Sequence, residues 1–393
     1  MIFVVAILLL VLAVIYRQNK NRLTKSTSNT QEQKLTVEFI KKCKDRVNIA
    51  DLEIKNTVWG RSSHLNIYLE NLELKDIPEN IVPDCYIGKW VYVVGPGSNT
   101  NTNTNTNQTL AKLAKLLRAF GSMSAENWNS LVLEDFTMDV SAMRSANPKI
   151  AARAHTLELM NISPSFLEWF CDSVNLRTRP WDAKLRVTNC ETKSVACLAN
   201  LGVRSLAGLY LNNLPCLTSL DCPLPNIKKP NLILRGLPEA MEVSTQMANE
   251  IASIIWGDVF DMDMWLWNRI CFLAGMRVDV CYELHLTVCK LDELELDESL
   301  NDEDTIQTYE LWLTNNTNGN PETPPRVFVD SAIAWIYANM NNMCECHIYI
   351  DQNIDAEFEN YLKTNGLKKI GKVPWPKKLE VIGKDKTVWA HSG

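Results

Sequence analysis

The stretch Leu185-Arg186-Val187-Thr188-Asn189-Cys190 decides the fold, because its alternation of apolar and polar residues recurs along the chain. Related segments begin at Ile67, Leu131, Leu157, Leu209, Leu232, Leu284, Leu311 and His347. One such segment predicts only a short strand with alternate residues buried. Many of them at a near-constant interval predict a repeat fold, whose units bury their apolar sides against their neighbours.

The spacing of these segments supports a repeat. From Leu131, successive copies lie 26, 28, 24 and 23 residues apart, and Leu311 follows Leu284 by 27. The 52 residues from Leu232 to Leu284 predict one degenerate copy between them. Connecting segments with helical spacing or helix-end signals lie at 110–117, 164–170, 194–202, 241–256 and 330–340. The chain therefore predicts an α/β fold in which short strands alternate with helices.

This pattern resembles the leucine-rich repeat, whose units of roughly 20–29 residues join a strand to a helical connector. Over residues 60–355 the chain is most similar to the ribonuclease-inhibitor-like class. The resemblance implies a solenoid with parallel strands on the concave face and helices on the convex face. It also implies that the residue closing each hexapeptide satisfies backbone groups in the following loop.

The closing residue varies from copy to copy. Cys190, Cys289 and Asn316 match the residue types favoured in the family, whereas five copies depart from them (Leu72, Phe136, Ile162, Leu214 and Leu237). We therefore expect an irregular, shallowly curved leucine-rich repeat solenoid rather than a regular horseshoe.

Composition divides the chain into four parts. Residues 1–16 are apolar and predict an N-terminal membrane anchor or signal segment, and residues 17–34 predict a polar tether. Residues 35–369 are expected to form the solenoid, with a low-complexity Asn/Thr insert at 95–109 that predicts a disordered loop. Residues 370–393 are expected to form a C-terminal cap or tail, because solenoid ends need a polar outer surface.

The N-terminal apolar run extends from Ile2 to Ile15 and is followed by Arg17, Lys20 and Arg22. A signal peptide normally carries its positive charge before the run, not after it. The flanks favour an uncleaved hydrophobic helix, residues 2–16, that anchors a single-pass membrane protein with its body on the cytoplasmic side. The run is shorter than the roughly 20 residues of a spanning helix. A cleaved signal on a secreted protein is the alternative, and a buried core helix is a third.

Composition also limits the partners. A net charge of −6 argues against a nucleic-acid partner, because phosphate contacts need a basic surface. Acidic residues concentrate at 291–298 and 301–304, where we expect a solvated loop. Twelve cysteines in 393 residues do not indicate a disulfide scaffold. The stretch from Met343 to His347 has soft metal ligands but lacks a second ligand pair, so no metal is expected.

Nothing in the sequence assembles an active site. The five histidines lie outside any His-Glu-x-x-His motif, and no Gly-x-Ser-x-Gly or phosphate-binding Gly-rich motif is present. We therefore expect a non-enzymatic protein that binds no cofactor.

The repeat predicts a binding surface instead, because the residues between the buried leucines point outward from the sheet. Aromatic residues and arginine anchor many protein interfaces. Six outward residues of these types, or histidine, are therefore predicted to bind a protein partner on the concave face: Arg186, Tyr210, Arg235, His285, Trp312 and Tyr349. The competing interpretation is that Trp312 and Tyr349 merely pack against inserted loops.

Two classes of function remain from the sequence. The first is a protein-protein interaction module, membrane-tethered or secreted. The second is a substrate-recruiting adaptor of a ubiquitin ligase, since Asp76–Pro83 faintly resembles the start of an F-box. Sedimentation with membranes after an alkaline wash would favour the first, and co-purification with ubiquitin-ligase core components the second. The oligomeric state is left open.

Overall fold

The computed structural model describes residues 31, 34–43, 64–81, 90–97, 103–121, 130–177, 183–203, 205–225, 229–295, 306–316, 324–366 and 376–391. Its strands, in chain order, are β1 (His64–Tyr68), β2 (Trp90–Val94), β3 (Ser130–Glu134), β4 (Ile150–Arg153), β5 (Thr156–Met160), β6 (Val174–Arg177), β7 (Lys184–Thr188), β8 (Gly208–Asn212), β9 (Asn231–Arg235), β10 (Val259–Asp263), β11 (Glu283–Val288), β12 (Ile306–Gln307), β13 (Glu310–Asn315), β14 (Met340–Asn342), β15 (Glu345–Tyr349), β16 (Lys378–Ile382) and β17 (Thr387–His391).

Thirteen of these strands form one sheet in the order β1-β2-β3-β5-β7-β8-β9-β10-β11-β13-β15-β16-β17. All neighbours in this main sheet are parallel except β16 and β17, which are antiparallel. Two short parallel pairs, β4 with β6 and β12 with β14, lie outside it. Spatial order follows chain order along the main sheet, so the fold is α/β and repeat-like, with the character of a solenoid.

The repeat spacing places equivalent leucines side by side. Leu185 lies in register with Leu157 on one side and with Leu209 on the other, and all three are buried. The degenerate copy predicted between Leu232 and Leu284 is confirmed as β10, whose Phe260 pairs with both of those leucines. The buried leucines and their equivalents form one continuous hydrophobic core.

Two copies are shifted from the predicted register. At the C-terminal copy, Cys346 and Ile348 occupy the two buried positions opposite Leu311 and Leu313, so the copy begins one residue before His347. At the N-terminal copy, β1 buries Leu65 and Ile67, so the first buried residue of the copy lies two residues before the predicted Ile67. Cysteine behaves as a small hydrophobic residue when buried, which is why a leucine-based pattern missed Cys346.

Helices cover the core side of the sheet. They are α1 (34–43), α2 (Asn103–Gly121), α3 (Pro164–Ser173), α4 (Thr245–Ala252), α5 (Met264–Ala274), α6 (Pro325–Asn339) and α7 (Ala356–Tyr361). The sequence at the start of α3 favours a helix end: Pro164 occupies the first turn, and Ser163 Oγ accepts a hydrogen bond from Phe166 N at 3.2 Å. Phe166 then stacks on Phe136 with ring centroids 4.5 Å apart, inside the core.

The low-complexity insert is not a structureless loop throughout. Residues from Asn103 onward belong to α2, and Thr106 and Thr109 are buried. The prediction of a disordered loop is therefore wrong for 103–109. Alternating Asn and Thr concealed a helix start, because burial of the following leucines outweighs the weak helical propensity of both residue types.

The predicted N-terminal hydrophobic helix, residues 2–16, lies outside the described residues, as do most of the tether at 17–34 and the residues from 367 to 375. Among the helices that the structure does describe, none combines the length and apolarity needed to cross a membrane. The segment expected to cap the C-terminus contains β16 and β17, so the main sheet continues past residue 369.

The turns after β3, β5, β7, β8 and β9 share one backbone conformation. Their first residue has positive φ in each case: Asp135, Asn161, Asn189, Asn213 and Gly236. Asn, Asp and Gly are the residues that tolerate this left-handed region. Their side chains also bond laterally, since Asn161 donates to Asp135 and Asn213 Nδ2 donates to Asn189 Oδ1 at 2.8 Å. An asparagine-type ladder therefore exists one residue before the predicted closing position.

Candidate binding surface

The side chains that alternate with the core residues form what we call the open face of the main sheet. Its central row runs in register through consecutive strands: Glu158, Arg186, Tyr210, Ile233, Asp261, His285, Trp312, His347 and Glu380. Parallel strands lie about 4.8 Å apart, so neighbouring side chains in this row are close enough to interact. Four of the six residues predicted to bind a partner lie in this row.

Arg186 and Tyr210 are neighbours in this row. The Arg186 guanidinium lies over the Tyr210 ring at 4.4 Å from its centroid, which is cation-π geometry. Tyr210 retains only 8% exposure, and its hydroxyl lies 3.4 Å from Asn231 Nδ2. Tyr210 is therefore covered by its neighbours, and Arg186 is the more accessible member of the pair.

A second cluster centres on Trp312. Its ring stacks on His347 at 4.1 Å between centroids, and His285 lies on the other side at 5.6 Å. Its Nε1 donates to Glu310 Oε1 at 2.7 Å. Burial lowers the pKa of His285, against the raising effect of Asp261. Trp312 remains half-buried, so the cluster is ordered by the protein's own contacts and still reaches the surface.

The remaining two predicted residues lie in the adjacent row. Tyr349 is half-buried opposite Thr314. Arg235 Nε lies 2.5 Å from Asp261 Oδ1, which makes Arg235 the ionic partner of a buried carboxylate. Burial raises the pKa of Asp261, and Arg235 opposes that shift. All six predicted residues therefore share the open face, but they form separate contact groups rather than one cluster.

Carboxylates line the open face beside Trp312. Glu283, Glu310 and Glu345 lie in register on three adjacent strands. Glu283 Oε2 lies 3.1 Å from His285 Nε2, and Lys378 Nζ lies 3.8 Å from Glu345 Oε2. Like charges directly opposite each other destabilise a sheet, and the Lys378 ammonium offsets part of the repulsion. The open face is therefore acidic over β11, β13 and β15.

The predicted set missed Asp261, Asp263 and His347. Both aspartates lie in the degenerate copy, at the positions after Phe260 and Met262, so the repeat interval was the signal that could have identified them. His347 Nδ1 lies 2.9 Å from Glu380 Oε2. It falls outside the set because the predicted segment begins at His347, ahead of the residues counted as outward.

A cavity of about 470 Å³ lies at the carboxyl ends of β9, β10, β11 and β13, and we call it the junction cavity. Its lining combines open-face residues with residues of the following turns: Arg235, Gly236, Leu237, Glu239, Asp263, Trp265, Thr287, Cys289, Lys290, Glu293, Thr314 and Asn316. Glu293 belongs to the acidic stretch expected to be a solvated loop, and that expectation is wrong for Glu293, which is buried.

Two carboxylates of the junction cavity have perturbed ionisation. Burial raises the pKa of Asp263, although the backbone N–H groups of Gly236 and Leu237 oppose the shift. Burial likewise raises the pKa of Glu293, against the N–H groups of Cys289 and Lys290. Desolvation penalises the charged form in both, so each carboxylate favours a ligand that restores the interactions lost with water.

Metal ligands and thiols can be assessed in the part of the chain that is described. No group of three or more His, Cys, Asp or Glu side chains there is placed to hold a metal ion. Cys346 lies in the core and His347 on the open face, so these two do not converge. Burial raises the pKa of Cys289 to about 11, which leaves its thiol protonated at neutral pH.

A larger cavity of about 790 Å³ lies away from the open face, between the loops before α4 and the side chains of α5. Arg269, on its wall, donates to the carbonyl oxygen of Met241 at 2.7 Å and to that of Glu239 at 3.2 Å. The Arg269 guanidinium is therefore already hydrogen-bonded to backbone oxygens of the preceding turn.

Comparisons of the chain with protein-family models, with curated proteins and with solved structures find no match.

Proposed function

We propose that this protein is an irregular leucine-rich repeat protein that binds another protein through its open face and carries out no catalysis. The observation that carries the binding proposal is the central row, in which large side chains follow one another in register across the sheet. Arginine and aromatic residues provide much of the energy of protein interfaces. A sheet face exposed only to water needs neither Trp312 nor the rings stacked against it.

The leucine-rich repeat assignment is supported by three features. The strands recur at the spacing of that family, their leucines share one core, and Asp, Asn or Gly begins the turn after five successive strands. Cys190, at the closing position, lies 3.2 Å from Thr188 O, a backbone group at the end of β7. The F-box-like alternative gains no comparable support, since Ile77 and Ile81 pack into the solenoid core.

Site-specific photo-crosslinking tests the binding proposal. A photoreactive amino acid replaces Thr314 on the open face in one variant and the exposed Glu168 of α3 in the other. Thr314 should yield a discrete crosslinked protein after irradiation of cells, whereas Glu168 should not. Equal crosslinking at both positions, or none at Thr314 and at a second open-face position such as Ile233, would contradict binding at this face.

In the proposed topology, residues 2–16 tether the protein to a membrane and the body faces the cytosol. The basic residues that follow the apolar run support this orientation. Asn107 and Asn161 begin glycosylation sequons and are exposed, so a translocated body could carry glycans there. Protease added to sealed membranes should digest the body, and glycosidase should leave its mobility unchanged. Glycosidase-sensitive mobility would instead support the secreted alternative.

A further inference from the structure

The junction cavity contains an unbalanced set of charges. Its two cationic side chains are already paired, Arg235 with Asp261 at 2.5 Å and Lys290 with both oxygens of Glu239 at 2.6 Å. Asp263 and Glu293 have no ion pair of their own within the part of the chain that is described. The cavity therefore presents two carboxylates that form no ion pair among the described residues, although the charge of Arg235 acts on Asp263 from a distance.

Glu293 is the less satisfied of the two carboxylates. It retains 8% exposure, and its Oε2 accepts a hydrogen bond from Cys289 N at 3.0 Å. Its Oε1 is buried and has no hydrogen-bond partner among the described residues. Leaving a buried charged oxygen without a donor is unfavourable. A ligand with N–H donors would supply the hydrogen bond that this oxygen lacks.

The walls of the cavity select the kind of ligand further. Trp265 supplies a half-buried aromatic wall, which attracts cations. Thr287 and Thr314 belong to the open face, so the cavity is continuous with the proposed binding surface. A site of this volume accepts one long side chain rather than a folded element.

We propose that the junction cavity binds a single lysine or arginine side chain of the protein partner. The ammonium or guanidinium group lies between Asp263 and Glu293 and donates to the free oxygen of Glu293, while its aliphatic stem packs against Trp265. This subsite rests on the proposed protein-binding function of the open face and assigns the chemistry of one contact on it.

Selection from a library of short random peptides tests the subsite directly and needs no purified partner. The full chain, in detergent, is immobilised and used to enrich peptides at neutral pH. The enriched peptides should share one lysine or arginine. Replacing that residue with uncharged norleucine or citrulline should weaken binding by about 10-fold or more, measured by fluorescence anisotropy.

The protein side of the contact is tested with Asp263→Asn and Glu293→Gln, which keep size and an acceptor oxygen while removing the charge. Each should weaken binding of the basic peptide by about 10-fold. The norleucine or citrulline peptide should bind the variants and the wild type equally, which isolates the pairwise contact. Glu168→Gln, with the same change of charge on α3, should leave both affinities unchanged. If one cavity variant does not fold, the other variant and the peptide substitutions carry the test.

The outcomes separate the subsite from the broader proposal. Peptides that lose binding in Trp312→Ala but share no basic residue would overturn the subsite and leave open-face binding intact. A basic residue whose contribution is the same in the wild type and in both cavity variants would also overturn the subsite. If no peptide binds above the level of an unrelated protein, both the subsite and the proposed function fail.

Discussion

The repeats from β3 to β9 and those from β10 to β15 share one core, but the residue that follows the last outward-facing strand position differs between the two groups. In the first group the residue after each strand is left-handed and polar or glycine, as at Asn189. In the second group the equivalent residues have ordinary backbone conformations and are buried: Met264, Val288, Asn315 and Ile350. Backbone conformation selects the residue in the first group, and burial selects it in the second.

The two groups meet at Gly236. In the preceding turns, each N–H of the left-handed residue donates to a backbone oxygen of the next strand, as Asn213 N does to Arg235 O at 2.8 Å. Gly236 N instead donates to the side chain of Asp263 at 2.8 Å. A Cβ at position 236 would lie 3.3 Å from Asn213 Cα, and φ there is +61°. The series of backbone hydrogen bonds between neighbouring turns therefore ends at the Asp263 carboxylate. The junction cavity lies at this same point.

The largest expected effects test whether the two groups form one core. Phe166→Ala removes a fully buried ring from the first group, and Trp256→Ala removes one from the second. Each should lower the free energy of unfolding by about 3–5 kcal/mol, because each leaves a large cavity. Urea denaturation measures the loss, and hydrogen exchange locates it. Since repeats contact mainly their neighbours, protection should fall most near the substituted repeat. A uniform fall along the whole chain would contradict this local response.

A smaller effect is expected at the left-handed turns. Asn213→Ala places alanine, which tolerates the left-handed region less well than Asn, at φ +52° and removes the bond to Asn189, so it should cost about 2 kcal/mol. Asn213→Gly is the matched control, since it loses the same side-chain bond but tolerates the conformation. The glycine variant should unfold closer to the wild type in urea. Equal losses in the two variants would show that the backbone conformation contributes nothing.

The smallest effect concerns pH at the junction. Because the folded-state pKa of Asp263 is raised, its ionisation opposes folding as pH rises from the unfolded value of about 3.9 through the folded one. Asp263→Asn cannot ionise and retains an acceptor for Gly236 N. Its melting temperature relative to the wild type should therefore rise as pH increases across this window, and Glu168→Gln should show no such trend. A relative melting temperature that falls over the same window would contradict desolvation as the cause.

Much of the sheet could be predicted from the sequence, because the repeat interval and the alternation of leucines both reflect burial on one side. The interval alone indicated β10, in which Phe260 and Met262 stand where the neighbouring copies have leucine. Register was lost where a cysteine replaces a leucine, at Cys346. The helix starting at Asn103 was missed because its first turns consist of Asn and Thr, whose burial depends on contacts distant in sequence.

The open face could be predicted in outline but not in its contacts. Alternation places Arg235 and Trp312 on that face, but it does not reveal that Arg235 neutralises Asp261 or that Trp312 stacks on His347. Those contacts depend on which repeats are neighbours. The junction cavity was beyond sequence reasoning, since Glu293 comes from an acidic stretch that predicts solvent exposure and is instead folded under the sheet's carboxyl edge.

The final pair of strands has a consequence for how such a protein can change in length. Every unit up to β16 enters the main sheet in the same direction, so an inserted or duplicated unit there would find matching neighbours on both sides. β17 runs the opposite way beside β16. A unit added beyond it would pair with a strand of reversed direction and would not extend the parallel series. The parallel series is therefore interrupted at β17, whereas a duplicated unit between β1 and β16 keeps the same strand direction as its neighbours.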